Sequence, residues 1–450
     1  MKNFSALIIS LLLVCCTKSK TITPTGLSSD PVQYGSPFQN VPESRDAAMY
    51  QVNLRSFSAA GNLKGVTARL DSIKSLGINV IYLMPITPVG VLRGFNSPYA
   101  VKDYKAVNAD FGTLDDLRAL VDGAHSRNMA VMLDWVANHT AWDNAWISNK
   151  SWYKQDAGGN IVSPSGYNDV AQLDFNNQEM RTAMIEALRY WVFTANIDGY
   201  RFDFADNVPF DFWKQAVTSL NSIEGRRLIL FAEGARSDHF NAGFQLKFGF
   251  RFFDNLKEVF NLGKSITTIN ELNTTEYSNS REESQVVRYI TNHDVNSSDG
   301  TPLDLFGGKK GSMAAFIVAA YMKGVPMIYN GQEVGTPIRL TFPFASTKIN
   351  WNINPDVSAE YKKILAFRNG SAAIRRGELF AYTSDDVCAF TKQLDNEKVM
   401  VLINLRNKVS EYTLPAAQAN SAWTDGINGG NVTLTTKVSL QPYAYLILKK

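Results

Sequence analysis

Cysteine is nearly absent from this chain, with three residues in 450. Two of them, Cys15 and Cys16, stand side by side near the start, and only Cys388 remains in the body. A monomer braced by disulfides is therefore excluded, and Cys388 reads as a small core hydrophobe. Histidine is also scarce, at four residues, which leaves little material for an imidazole-rich metal cluster. Neither sign of charge prevails: 45 basic and 42 acidic residues, interspersed, give a net charge of +3. That balance gives nucleic-acid binding no support. Glycine and proline, at 30 and 16 residues, are too few for a fibrous or wholly disordered chain. No later apolar run is long enough to cross a membrane.

The start of the chain is read apart from the fold. Lys2 precedes an apolar stretch from Leu7 to Val14, which is a signal peptide in pattern and too short for an ordinary spanning helix. Leu12-Leu13-Val14-Cys15 and Leu13-Val14-Cys15-Cys16 both resemble a bacterial lipobox, with Cys16 the preferred acceptor. Residues 1–16 are thus a lipoprotein signal region, and the protein is expected to be exported and lipid-anchored to the cell envelope. A plain secretory signal is the alternative. Residues 17–43 are rich in Ser, Thr, Pro and Gly and read as a flexible tether. Lys18 and Lys20 follow the cysteines, and the membrane face stays open.

From residue 44 strands and helices alternate. Strand candidates are Ala48 to Leu54, Ile78 to Met84, Ala130 to Leu133, Gly199 to Asp203, Leu228 to Ala232, Phe248 to Arg251, Val286 to Ile290 and Pro326 to Tyr329. Apolar residues at helical spacing fill the gaps, as with Val66, Leu70, Ile73 and Leu76. Eight such units predict an α/β fold, the (β/α)8 TIM barrel, over 44–138 and 178–375. Turn-rich residues 139–177 form an insertion after strand three. Residues 376–450 alternate with few helix signals and read as a separate all-β domain.

Four polar clusters fall at strand ends, where such barrels carry chemistry. They are Asp134 to His139, Gly199 to Asp203, Glu233-Gly234, and Asn292-His293-Asp294. A carboxylate at the end of an apolar strand needs a partner or a task. Arg201 and Asp203 lie two apart on one strand, so both side chains point the same way. A lone Asp–Arg pair is usually structural; the weight lies in the whole set facing one mouth. Three acids without a clear metal cluster suit glycoside hydrolysis. One carboxylate attacks the anomeric carbon while another protonates the leaving oxygen, the pair lying roughly 5–5.5 Å apart in retaining enzymes.

On these residues the chain resembles the alpha-amylase superfamily of glycoside hydrolases, from about Ala48 to Lys450. Asp134-x-x-x-Asn138-His139, Gly199-x-Arg201-x-Asp203, Glu233 and Asn292-His293-Asp294 match four family motifs in order. The segment Asn96 to Tyr104, leading into Phe111-Gly112-Thr113, is similar to an early family loop. The resemblance implies that 139–177 is a short domain B and that 376–450 is a C-terminal antiparallel β-sandwich. It implies Asp203 as nucleophile, Glu233 as acid/base, and Asp294 as a third catalytic carboxylate. His139 and His293 would hydrogen-bond the sugar, Tyr99 would stack beneath it, Arg201 would keep Asp203 ionised, and Asp134 would anchor Arg201.

The implied substrates are alpha-glucans or maltooligosaccharides, and no cofactor is required for the chemistry. Structural calcium is left open on Asn138, because Gln172 replaces the usual acidic ligand and supplies no charge. The Lys-His pair common after the nucleophile is also missing: the chain reads Phe204-Ala205-Asp206-Asn207. Asp206 either meets a sugar there or caps the next loop. Trp142, Trp152 and Trp351 are further candidates for sugar platforms. Competing readings are an alpha-glucosidase, neopullulanase or transferase of the same superfamily, a non-catalytic glycan-binding lipoprotein, and a metal-dependent hydrolase.

Overall fold

A computed structural model describes residues 30–450. The lipobox cysteines, the signal region and residues 17–29 lie outside the described residues. Eight parallel strands close into a barrel: β1 (Met49–Val52), β2 (Val80–Leu83), β3 (Ala130–Val136), β4 (Gly199–Asp203), β5 (Ile229–Ala232), β6 (Leu246–Phe248), β7 (Gln285–Arg288) and β8 (Val325–Tyr329). Seven of the expected strands fall within a few residues of their places. Each is short and nearly all buried, as parallel strands are when helices cover one face and a packed core the other.

The sixth strand differs from expectation. It spans Leu246–Phe248, and a helix, Phe250–Asn261, takes over where Phe248 to Arg251 reads as strand. Phe252, Phe253, Leu256 and Val259 all bury, a helical spacing that the apolar run at 248–253 disguises. The single helix expected from Val66 to Leu76 is two, Leu63–Thr67 and Leu70–Ser75. Arg69 between them leaves the helical region at φ −113° and ψ 9°.

The expected tether also ends earlier than residue 43. Asp30 pairs with Arg189, and the Tyr34 N–H donates to the Phe193 carbonyl at 2.8 Å. Phe38 stacks on His125 with centroids 4.3 Å apart. Composition alone reads this stretch as unfolded, whereas its aromatic residues dock it on the barrel.

The insertion after β3 is compact. His139–Ala141 and Val170–Gln172 form an antiparallel ribbon that pairs His139 with Gln172. The C-terminal region has a six-stranded sheet and a two-stranded ribbon. Val387, Ala389, Met400, Leu402, Trp423 and Leu440 fill the space within it. The opposite faces of the strands Val387–Leu394 and Glu397–Asn404 carry Cys388, Phe390, Val399, Val401 and Ile403, which belong to the barrel's own apolar cluster. Among the described residues no helix is long and apolar enough to cross a membrane.

One buried acid under the barrel mouth makes stability depend on pH. Glu333 accepts the Tyr50 hydroxyl and the Gly331 N–H, the latter at 2.9 Å. Burial pushes its carboxyl from an ordinary 4.5 up to about 7. The folded state thus keeps a proton that the unfolded chain releases, so ionisation penalises the native state as pH rises from 4.5 through 7. The penalty reaches ~3 kcal/mol above that window. Glu333→Gln stays neutral throughout. Urea unfolding at pH 5 and pH 8 is expected to show the wild type losing stability relative to this variant; equal losses would refute the assignment.

Candidate active site

Register builds the centre of the site. β3 and β4 pair Asp134 with Arg201 and Val136 with Asp203. β4 and β5 pair Phe202 with Ala232, which brings Glu233 in at the next position. The Arg201 side chain is fully buried and is held by three carboxylates. Its Nη1 donates to Asp134 Oδ1 at 2.7 Å and to Asp203 Oδ1 at 3.0 Å, while Nη2 donates to Glu233 Oε1. The second oxygen of Glu233 accepts the Phe204 N–H at 2.7 Å.

One guanidinium thus serves three acids. Fully ionised, the group would carry a net charge of about −2 away from water, which is costly. Burial, then the neighbouring Glu233 charge, push the Asp203 carboxyl well above its usual range, although Arg201 pulls the other way. This corrects the expectation that Arg201 by itself keeps Asp203 ionised. Burial also raises Asp134, to about 6. Burial thus favours the protonated form at Asp203 and Asp134, whose titrations are linked through the shared guanidinium.

The two histidines are neutral. Burial lowers His139 to about 4 and His293 to about 3. Gln51 Nε2 lies 2.8 Å from His293 Nδ1 and Tyr99 Oη 2.6 Å from Nε2. With the Gln51 amide donating to Nδ1, the His293 Nε2–H donates to Tyr99, whose hydroxyl donates to Asp134 Oδ2 at 3.3 Å. Tyr82 donates to the same Asp134 oxygen at 2.6 Å. Asp294 is the exposed member, with Oδ1 3.3 Å from His293 Nε2. It stands second in a short helix, His293–Ser298, whose Asp294 and Val295 N–H groups are capped by Asn292.

These residues line one cleft of about 500 Å³, together with Asp169 and the aromatic residues Phe95, Tyr167, Phe204, Phe250 and Phe342. The cleft gathers Tyr99, His139, Asp203, Glu233, His293 and Asp294, with Arg201 and Asp134 beneath them. Sequence reasoning missed Gln51, Tyr82, Asp169, Phe95, Tyr167, Phe250 and Phe342. Exposed Phe95 and Phe342 come from loops 247 residues apart and meet edge to face at 5.7 Å; nothing local announces that meeting. The tryptophans considered as platforms do not line the cleft. Trp142 lies under the Arg93 guanidinium, Trp152 packs on Trp146, and Trp351 lies under Arg69.

Phe204 is held with φ 51° and ψ 39° directly after Asp203. A bulky residue adopts that left-handed region only under constraint. The constraint is visible: Phe204 N–H binds the Glu233 side chain, and Ala205 N–H binds the Glu233 carbonyl at 2.9 Å.

Calcium takes about 6–8 oxygen ligands, and the side chains considered for it are Asn138 and Asp174. Asn138 is buried, with its amide nitrogen 3.3 Å from His139 Nδ1. Asp174 accepts the backbone and side-chain N–H groups of Asn176 through Oδ1. Among the described residues no three His, Cys, Asp or Glu side chains gather as a metal site.

The chain matches the family described as alpha amylase, catalytic domain, over residues 34–158 and 148–364. It is 27% identical over 429 residues to Alpha-amylase 2 of Dictyoglomus thermophilum, covering 89% of this chain and 72% of that one. It is 26% identical over 432 residues to Neopullulanase 2 of Thermoactinomyces vulgaris, covering 86% and 70%. An alpha-amylase structure from Lactobacillus plantarum superposes with a TM-score of 0.82 at 26% identity, covering 90% of this chain and 99% of that one. With the closed barrel, the ordered acids and the matched span together, the chain belongs to the alpha-amylase family of glycoside hydrolases and is an enzyme.

Proposed function

We propose that this enzyme cleaves alpha-1,4-glucosidic bonds in starch, glycogen or maltooligosaccharides, with retention, through a covalent glycosyl-enzyme. The observation that carries the reading is the single guanidinium bridging Asp203 and Glu233 through its two terminal nitrogens. Carboxyls gripped that way suit the short separation of a retaining pair. The relatives named as alpha-amylases and neopullulanase support an alpha-glucan substrate.

In this mechanism Glu233 acts as the acid and Asp203 as the carboxylate nucleophile. Asp203 then attacks the anomeric carbon while Glu233 gives its proton to the leaving oxygen. Attack spends the charge on Asp203, so Glu233 is left as a carboxylate beside Arg201. It next takes a proton from water, whose oxygen displaces Asp203 from the same face that the leaving group departed. Glu233 must turn from Arg201 or from the Phe204 N–H to do this. Neutral His139 and His293 supply donors to the sugar, and Asp294 accepts its hydroxyls.

The test is product analysis on maltooligosaccharides by proton NMR. The first-formed anomer is expected to be alpha, and the rate is expected to survive exhaustive chelation. A beta anomer would overturn retention, and activity lost to chelation would restore a metal. Glucose as sole product would favour an alpha-glucosidase; the Phe204-Ala205-Asp206-Asn207 departure is what keeps that reading and the transferase reading in play.

We also propose that the enzyme is exported and lipid-anchored through Cys16, on the lipobox-like tetrad alone. Expressed in a bacterium, the full chain is expected in the membrane fraction, and the double variant Cys15→Ser with Cys16→Ser is expected to release it. Identical partitioning of both would sink the anchor.

A further inference from the structure

Asp206 and His239 are a hydrogen-bonded pair that the mechanism above does not use, and they sit beside its acid. The Asp206 carboxylate lines the cleft and is held from below. His239 Nε2 lies 2.6 Å from Oδ1, Ala235 N–H donates to Oδ2 at 2.9 Å, and Arg236 N–H donates to Oδ1 at 3.2 Å. Burial alone would raise this carboxyl, but the bonds from His239, Ala235 and Arg236 hold it below its usual range. It is therefore an anion, and His239 Nε2 is the donor. His239 is fully buried, edge-on to Phe244.

The backbone held by this pair is the loop that leaves Glu233. A Cβ on Gly234 would lie 2.3 Å from His239 Nε2 and 2.4 Å from Asp206 Oδ1. The chain thus passes over the pair at a distance that only glycine permits. Arg236 closes the loop from the other side, donating to the Asp206 carbonyl at 2.9 Å and to that of Val208 at 3.2 Å. Residues 205–208 follow the nucleophile and residues 234–239 follow the acid/base. The clasp ties one loop to the other, and the Ala205 N–H bond to the Glu233 carbonyl lies within the same span.

We infer that Asp206 and His239 are positioning residues that fix the backbone after Glu233, so that its carboxyl meets the leaving oxygen. The inference rests on the reading of Glu233 as acid/base. A misplacement of this kind costs proton transfer, and a positioned general acid is worth roughly 10²–10⁴-fold. It costs the first displacement little where the leaving group needs no proton.

The experiment compares two substrates with the full chain. On maltotetraose, Asp206→Asn is expected to lower kcat by about 10- to 100-fold with KM little changed. On alpha-maltosyl fluoride, whose fluoride leaves without a proton, kcat/KM, which reports the first displacement alone, is expected to stay within about threefold, while on maltotetraose kcat/KM falls with kcat. His239→Gln keeps an N–H toward Asp206 and is expected to rescue; His239→Leu is expected to behave as Asp206→Asn. Hydrogen exchange supplies a reading that needs no turnover: the amides of Ala235 and Arg236 lose protection in Asp206→Asn while those of β4 and β5 keep theirs. Equal losses on both substrates, or unchanged protection at 235 and 236, overturn the clasp alone. A wild type that turns over neither substrate overturns it together with the reading beneath it.

Discussion

Asp203→Asn is expected to reduce turnover of maltooligosaccharides by at least about 10⁴-fold, equivalent to ~5 kcal/mol of transition-state stabilisation. The amide keeps the shape and a contact with Arg201 but cannot attack carbon. Nothing in the cleft replaces it, since Asp134 is held under the floor by Arg201 and Tyr82 and Asp294 lies at the exposed mouth. The same substitution is expected not to weaken the fold. Burial and neighbouring charge raise the native Asp203 carboxyl, so its ionisation penalises folding above the ordinary carboxylate range, and a neutral amide removes that penalty. A smaller side chain gives the sharper check. Asp203→Gly with added azide and alpha-maltosyl fluoride is expected to yield the beta azide, because one displacement replaces two. Recovery of the alpha azide, or activity in the variant without azide, would identify a different nucleophile.

Arg201→Lys is expected to be worse for the protein as a whole. Lysine offers a point charge on a flexible stem, whereas the guanidinium reaches Asp134, Asp203 and Glu233 at once from a rigid plane. At least one buried carboxylate loses its partner, which costs about 3–5 kcal/mol when a buried ion pair is broken. Activity is expected to fall with stability, since the same contacts set the spacing of the two reacting carboxyls. Denaturant unfolding should show a lower midpoint with an unchanged slope. A variant as stable as the wild type would mean that the three acids are not held by this one cation.

Much of this was legible in the chain because strand and motif coincide. Val80–Leu83 and Gly199–Asp203 are short apolar runs bounded by turns or acids, and their side-chain alternation places Arg201 and Asp203 on one face. Ordered motifs then name the acids without any knowledge of register. What was hidden is what depends on distant contacts. The helix at Phe250–Asn261 begins inside an apolar run that fits a strand equally well. Residues 30–43 look like a linker until Tyr34 and Phe38 find Phe193 and His125. Gln51 sits 242 residues from the histidine whose tautomer it sets. The reversal at Asp203 was hidden for a different reason: sequence shows one arginine beside it, while folding brings two more carboxylates and removes the water.

The strands of the last 75 residues have a further meaning. Cys388, Phe390, Val399, Val401 and Ile403 belong to the same apolar cluster as the barrel and its helices rather than to the C-terminal region's own, and Lys392, itself buried, donates to the Ile374 carbonyl. A module that merely rode on the enzyme could be trimmed away. This one is a wall of the house, and a chain stopped before it would leave its catalytic half roofless, sticky and short of cooperativity.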